Sequence, residues 1–97
     1  MLKVKMTSQF KKDWKKIIKR GYDTKKFEKV LELLINEEPL DEKYKDHKLI
    51  GDYTGHRECH IEPDWLLIYF IENNILTLTL SRTGTHSDLF NLSLIHI

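Results

Sequence analysis

The chain has one cysteine, no long apolar run and no repeated or low-complexity tract, and each shortage removes a class of protein. With Cys59 alone no internal disulfide framework can form, which fits a reducing compartment. A bilayer span needs about 20 consecutive apolar residues, and no stretch of the sequence approaches that. The start, Met1-Leu2-Lys3-Val4-Lys5, holds charges where a secretory signal needs its apolar stretch, so a cytosolic protein is expected. What remains is 97 residues, 40% hydrophobic and 32% charged, the size and balance of one globular domain.

The net charge of +1 hides a strong asymmetry. Residues 1–29 hold 11 Lys and Arg against Asp13, Asp23 and Glu28, while the remainder holds 5 against 12 acids. A basic first third is the footprint expected for a polyanion such as RNA. A solvated helix face or a site for an acidic protein gives the same pattern.

Hydrophobic spacing predicts an α+β fold. Leu2 to Met6 alternates as a short strand. Ser8 is the expected N-cap of a helix striped by Phe10, Trp14, Ile17 and Ile18 and ending at Gly21, with Lys11, Lys12, Lys15, Lys16 and Lys19 between the apolar positions. Asp23 or Thr24 opens a second helix carrying Phe27, Val30, Leu31 and Leu34, with Pro39 beyond its end, and the short connection predicts an antiparallel pair. Leu40 to Gly55 reads as a polar surface loop. Three strands follow, His56 to Glu62, Trp65 to Glu72 and Ile75 to Thr83, turning at Pro63-Asp64 and at Asn73-Asn74, where Asn tolerates positive φ. The expected whole is a four-stranded twisted sheet, the N-terminal strand plus a three-stranded antiparallel meander, covered on one face by two helices. The domain is placed at residues 1–91. The tail, residues 92–97, reads as a translated sequencing-library adaptor, so His96 is given no role.

The chemistry-bearing residues gather at the ends of these strands. His60 shares strand parity with His56, Glu58 and Glu62, while Cys59 and Ile61 mark the opposite face as core, so His60 is expected to point to solvent or a groove. Asp64 stands across the Pro63 turn, and His47 and His86 lie in flanking segments. His56 and His60 are separated by about 13 Å of strand, too far for one metal ion, and neither a metal nor another cofactor is expected. Arg82 has the parity of Leu76, Leu78 and Leu80, so it needs a partner, either a carboxylate in a structural pair or a phosphate. Trp65 and Tyr69 read as packing, whereas Phe90 either closes the core or stacks on a base. Imidazoles, a carboxylate and a guanidinium without an obvious nucleophile suit RNA, which brings its own in the 2'-hydroxyl.

Taken together, Lys45-Asp46-His47, Leu49-x-Gly51, His60-x-Glu62-Pro63-Asp64-Trp65-x-Leu67-Ile68-Tyr69 and Arg82-Thr83-Gly84-Thr85-His86-x-x-Leu89-Phe90 resemble the YafQ branch of the RelE/ParE toxin superfamily, over Met1 to Phe90. The resemblance implies a microbial ribonuclease-like fold and a toxin of a type II toxin-antitoxin module. Its implied activity is cleavage of mRNA on the 70S ribosome, and its implied neutraliser is a cognate antitoxin of the ribbon-helix-helix type. The family's functional positions fall on His47, His60, Asp64, Arg82, His86 and Phe90. In that reading His86 is the base, His60 or Asp64 the acid, His47 positions the phosphate and Arg82 stabilises its charge; the basic charge of the first helix separately makes Lys11, Lys12, Lys15, Lys16 and Lys19 the expected contacts to RNA. His56 departs from the family, standing where relatives carry an aromatic. Two other readings compete. One is a ParE-like gyrase inhibitor without catalysis, against which the histidine set argues; the other is an inactive relative kept as partner or regulator.

Overall fold

Thr7, one residue upstream of the expected cap, starts the first helix in this computed structural model, which describes residues 1–90. Thr7 is extended, at φ −74° and ψ 161°, and its hydroxyl accepts the Phe10 N–H at 2.9 Å, so Ser8 becomes the first residue of α1 (Ser8–Lys19). α1 gives way to Gly21 at φ 77°, as the sequence predicts. Asp23 caps α2 (Thr24–Ile35), its carboxylate accepting the Lys25 N–H at 3.0 Å. Burial follows the two stripes through Phe10, Ile17, Phe27, Val30 and Leu34. The rings of Trp14 and Phe27, 4.6 Å apart, join the helices.

Among the described residues the sheet has five strands rather than four: β1 (Lys3–Met6), β2 (His47–Lys48), β3 (Arg57–Glu62), β4 (Trp65–Glu72) and β5 (Thr77–Gly84), in the order β1-β5-β4-β3-β2. β1 runs parallel to β5 and every other pairing is antiparallel. The additional strand lies inside the segment expected to be loop. Two residues are too short to show alternation, yet they add an edge to β3 and deliver His47 to the sheet. The second hairpin also differs. Asn73–Ile75 form a 3-10 turn and Leu76, not an asparagine, takes positive φ at 48°, so β5 begins at Thr77.

One sheet face carries Cys59, Ile61, Leu67, Tyr69, Leu78 and Leu80 and packs with both helices into the main core. A smaller cluster on the other face joins Leu66, Ile68 and Leu89 to Leu49, Tyr53 and Phe90. A bulge then overturns the expected parity of Arg82. Ile68 pairs with Arg82 and Tyr69 with Leu80, so Ser81 is an extra residue, and Arg82 leaves the helix-side row to stand beside Ile68. Among the described residues no helix is long and apolar enough to cross a membrane.

Candidate active site

Cross-strand pairing builds the site from the sheet itself. His47 lies opposite Glu58, Glu58 opposite Ile68 and Ile68 opposite Arg82, while His60, Leu66 and Gly84 form the next row. Directly paired residues project from the same face. His47, Glu58, His60 and Arg82 therefore share the face opposite α1 and α2.

The histidine-bearing segments are held by polar anchors. Asp46 accepts the Tyr69 hydroxyl at 2.5 Å and the Arg57 guanidinium at 3.0 Å, which pins the residue before His47. His47 Nδ1–H donates to the Lys45 carbonyl at 2.7 Å, turning Nε2 toward Glu58. α3 (His86–Leu89) begins with a reciprocal cap between Thr85 and Asp88, and Arg20 at the end of α1 donates to Asp88 at 2.6 and 3.1 Å. That guanidinium holds the Asp88 carboxyl well below the usual carboxylate range. Gly84 is required just before this turn: it has φ 153°, and a Cβ there would stand 2.9 Å from Asp88 Oδ2.

These anchors bring three imidazoles together. The His60 ring centroid lies 6.3 Å from that of His47 and 5.7 Å from that of His86. Glu58 sits between two of them, its Oε1 at 3.5 Å from Nε2 of both His47 and His60. Asp64 holds the third, accepting from the His86 backbone N–H at 2.9 Å and from Nδ1–H at 2.6 Å. These bonds keep the Asp64 carboxyl below its ordinary range, so it is ionised rather than poised to give up a proton. With Nδ1 as donor, the basic lone pair of neutral His86 belongs to Nε2. Burial, the first cause, and the neighbouring cations push His60 below its ordinary value, with Glu58 opposing them.

Arg82 is paired, through Nε at 2.7 Å and Nη2 at 3.2 Å, with the Asp13 carboxylate, which also accepts the Thr83 N–H at 3.1 Å. The pair fixes the guanidinium, and Arg82, half-buried, also meets Tyr53. Phe90 packs on the smaller cluster, its ring centroid 6.2 Å from that of Tyr53. Trp65 is buried and donates to the Thr83 hydroxyl at 2.9 Å, a packing role as expected. Lys11, Lys12, Lys15, Lys16 and Lys19 are exposed on α1, which packs against the sheet face opposite to the histidines. His56, the departure from the family, is packed between Tyr53 and Phe70 at centroid distances of 5.7 and 4.7 Å, the place an aromatic ring would fill.

Sequence reasoning missed two carboxylates. Asp13 is 4% exposed and Glu58 5%. The signal for Asp13 is its spacing, since it lies three residues after Phe10 and four before Ile17, inside the apolar stripe. The signal for Glu58 is its parity with His60. Replacing Glu58 by Gln removes a neighbour that favours protonated His60 while burial continues to oppose it, so the His60 titration followed by NMR moves further down; a midpoint unchanged from wild type would contradict the assignment. Among the described residues no group of three His, Cys, Asp or Glu is placed to hold a metal ion.

The chain is similar to known proteins in sequence and in fold. Residues 2–91 match the family described as a bacterial toxin of type II toxin-antitoxin systems, YafQ. The mRNA interferase toxin YafQ of Escherichia coli K12 is 43% identical over 88 residues, covering 90% of this chain and 94% of that protein. A metal-bound toxin from Helicobacter pylori superposes with a TM-score of 0.87 at 47% identity, covering 93% of this chain and 100% of that one. YafQ in the E. coli DinJ-YafQ toxin-antitoxin complex superposes with a TM-score of 0.83 at 42% identity, over 92% of this chain and 97% of that one.

Proposed function

This chain belongs to the YafQ family of bacterial toxins of type II toxin-antitoxin systems, and on that premise we propose how its histidine-bearing sheet face cleaves RNA. The protein is an mRNA interferase, an endoribonuclease toxin with an antitoxin partner. Its substrate is mRNA held by the ribosome, which places its action in the cytoplasm.

His86 acts as general base. Asp64 fixes its ring and tautomer, so Nε2 takes the proton from a ribose 2'-hydroxyl. The resulting oxygen attacks the adjacent phosphorus in line, and the bond to the departing 5'-oxygen breaks. His60 protonates that leaving oxygen, and a 2',3'-cyclic phosphate remains. The low value of His60 makes its protonated fraction a strong acid, and Glu58 keeps that fraction populated. Asp64 is the weaker candidate for acid because its bonds from His86 favour the ionised form. His47, whose Nδ1–H donates to the Lys45 carbonyl and whose Nε2 lies 3.5 Å from Glu58, positions the phosphate. Arg82 faces the nonbridging oxygens, and Phe90 borders the site as a stacking surface for a base.

The observation that carries this reading is the side-by-side placement of His86, locked by Asp64, with His60. Primer extension on cellular mRNA after brief induction tests it: discrete cuts in reading frame are expected. Intact transcripts with damaged DNA would favour gyrase inhibition, and intact transcripts without damage an inactive partner protein.

The lysines of α1 are assigned to ribosomal RNA, away from the scissile bond. Replacing Lys11, Lys12, Lys15 and Lys16 with Gln should weaken ribosome association about 10-fold or more at low salt, with a smaller loss at high salt where charge is screened. Unchanged low-salt binding in sedimentation would return them to a solvated face.

A further inference from the structure

A basic cleft adjoins the imidazole row at His60. It encloses about 500 Å³ between α2, the 3-10 turn Glu42–Tyr44 and the end of β3, and its lining includes Lys26, Lys29, Lys43, Lys45, His60 and Glu62. Glu62 pairs with Lys26 at 3.4 Å, while Lys29, Lys43 and Lys45 have no ion-pair partner among the described residues. Lys43 Nζ stands 5.1 Å from the centroid of Tyr44, whose buried ring forms part of the wall.

We propose that this cleft binds the substrate RNA strand immediately beside the scissile linkage, as a nucleotide subsite; the proposal rests on the RNA-cleaving reading above. Three features argue for it together. The excess of positive charge matches a phosphodiester backbone. The volume falls in the ~300–1,000 Å³ range of small-molecule sites, enough for a nucleotide. His60 belongs to both the cleft and the imidazole row, so a strand whose phosphate reaches His60 continues into the cleft without a gap. The basic residues come from α2 and the turn, not from the α1 lysines that stand out in the sequence.

The test is single-turnover cleavage of mRNA on programmed 70S ribosomes by wild type and by Lys29→Gln/Lys43→Gln, with circular dichroism to show that the variant is folded. For the variant the half-saturating toxin concentration should rise about tenfold at low salt, and its logarithmic salt dependence should flatten by about 1.4, the value for two lost contacts to a single strand. The saturating rate should change far less. With mRNAs shortened on either side of the cleavage site, one truncation should weaken wild type but leave the variant unchanged, since the cleft and the missing nucleotides are partners.

An unchanged half-saturating concentration overturns the proposal while leaving the nuclease reading intact. So does an equal lysine effect on every mRNA length, which would assign the cleft to ribosomal RNA. Lost antitoxin affinity with unaltered cleavage would assign it to the antitoxin and also overturns the proposal. Wild type that fails to cut programmed ribosomes would remove the nuclease reading and this subsite with it.

Discussion

His86→Gln is expected to lower the single-turnover rate of mRNA cleavage by on the order of 10³-fold, enough to abolish growth arrest, while the circular dichroism spectrum stays that of wild type. Glutamine occupies similar volume and retains hydrogen-bonding groups for Asp64, but it has no basic lone pair to accept a proton at neutral pH. The side chain is 42% exposed and opens the four-residue α3, so little core packing depends on it. Thr85, Asp88 and Arg20 continue to hold the turn. A variant that still arrests growth would remove His86 from the mechanism, and one that loses its native spectrum would show the histidine to be structural.

Arg82→Gln is expected to fail in two separable ways. Asp13 is buried and its carboxylate depends on this guanidinium, so removing one partner of the pair costs about 3 kcal/mol, a fall in Tm on the order of 15 °C. Cleavage should also fall, by about 10²-fold or more, if Arg82 stabilises charge on the phosphate. Arg82→Gln/Asp13→Asn separates the effects. Removing the stranded charge should restore most of the Tm, with the carbonyl oxygen of the introduced amide still able to accept from the Thr83 N–H, but activity should not return. Recovery of activity together with stability would make the arginine purely structural.

The division between what was legible and what was not follows from range. Both helices announce themselves through apolar spacing at Phe10, Ile17, Phe27 and Val30, and the Pro63-Asp64 turn through its residues, because these signals are local. β2 is invisible to periodicity, since two residues have no period, and its pairing with β3 is made only in the folded sheet. The same holds for the pairing of β1, which lies parallel to a strand more than 70 residues away. Parity gave the right face for His60 but the wrong one for Arg82, because alternation survives only until a bulge inserts a residue, here Ser81. Residue types gathered at the strand ends, and then the motif resemblance, brought out His47, His60, Asp64, Arg82 and His86. The carboxylates that orient them, Glu58 and Asp13, come from elements where an acid looks unremarkable, a strand and a basic helix.

The central claim is that this face supplies acid, base and charge while the substrate supplies the nucleophile. It is tested most directly by giving purified protein programmed ribosomes whose mRNA carries a single 2'-deoxy nucleotide on the 5' side of the mapped cut. The expected result is no cleavage at that position, with the all-ribose mRNA cut there to leave a 2',3'-cyclic phosphate. Cleavage of the deoxy-substituted mRNA at an undiminished rate would mean that the nucleophile comes from water or the protein, contradicting the account.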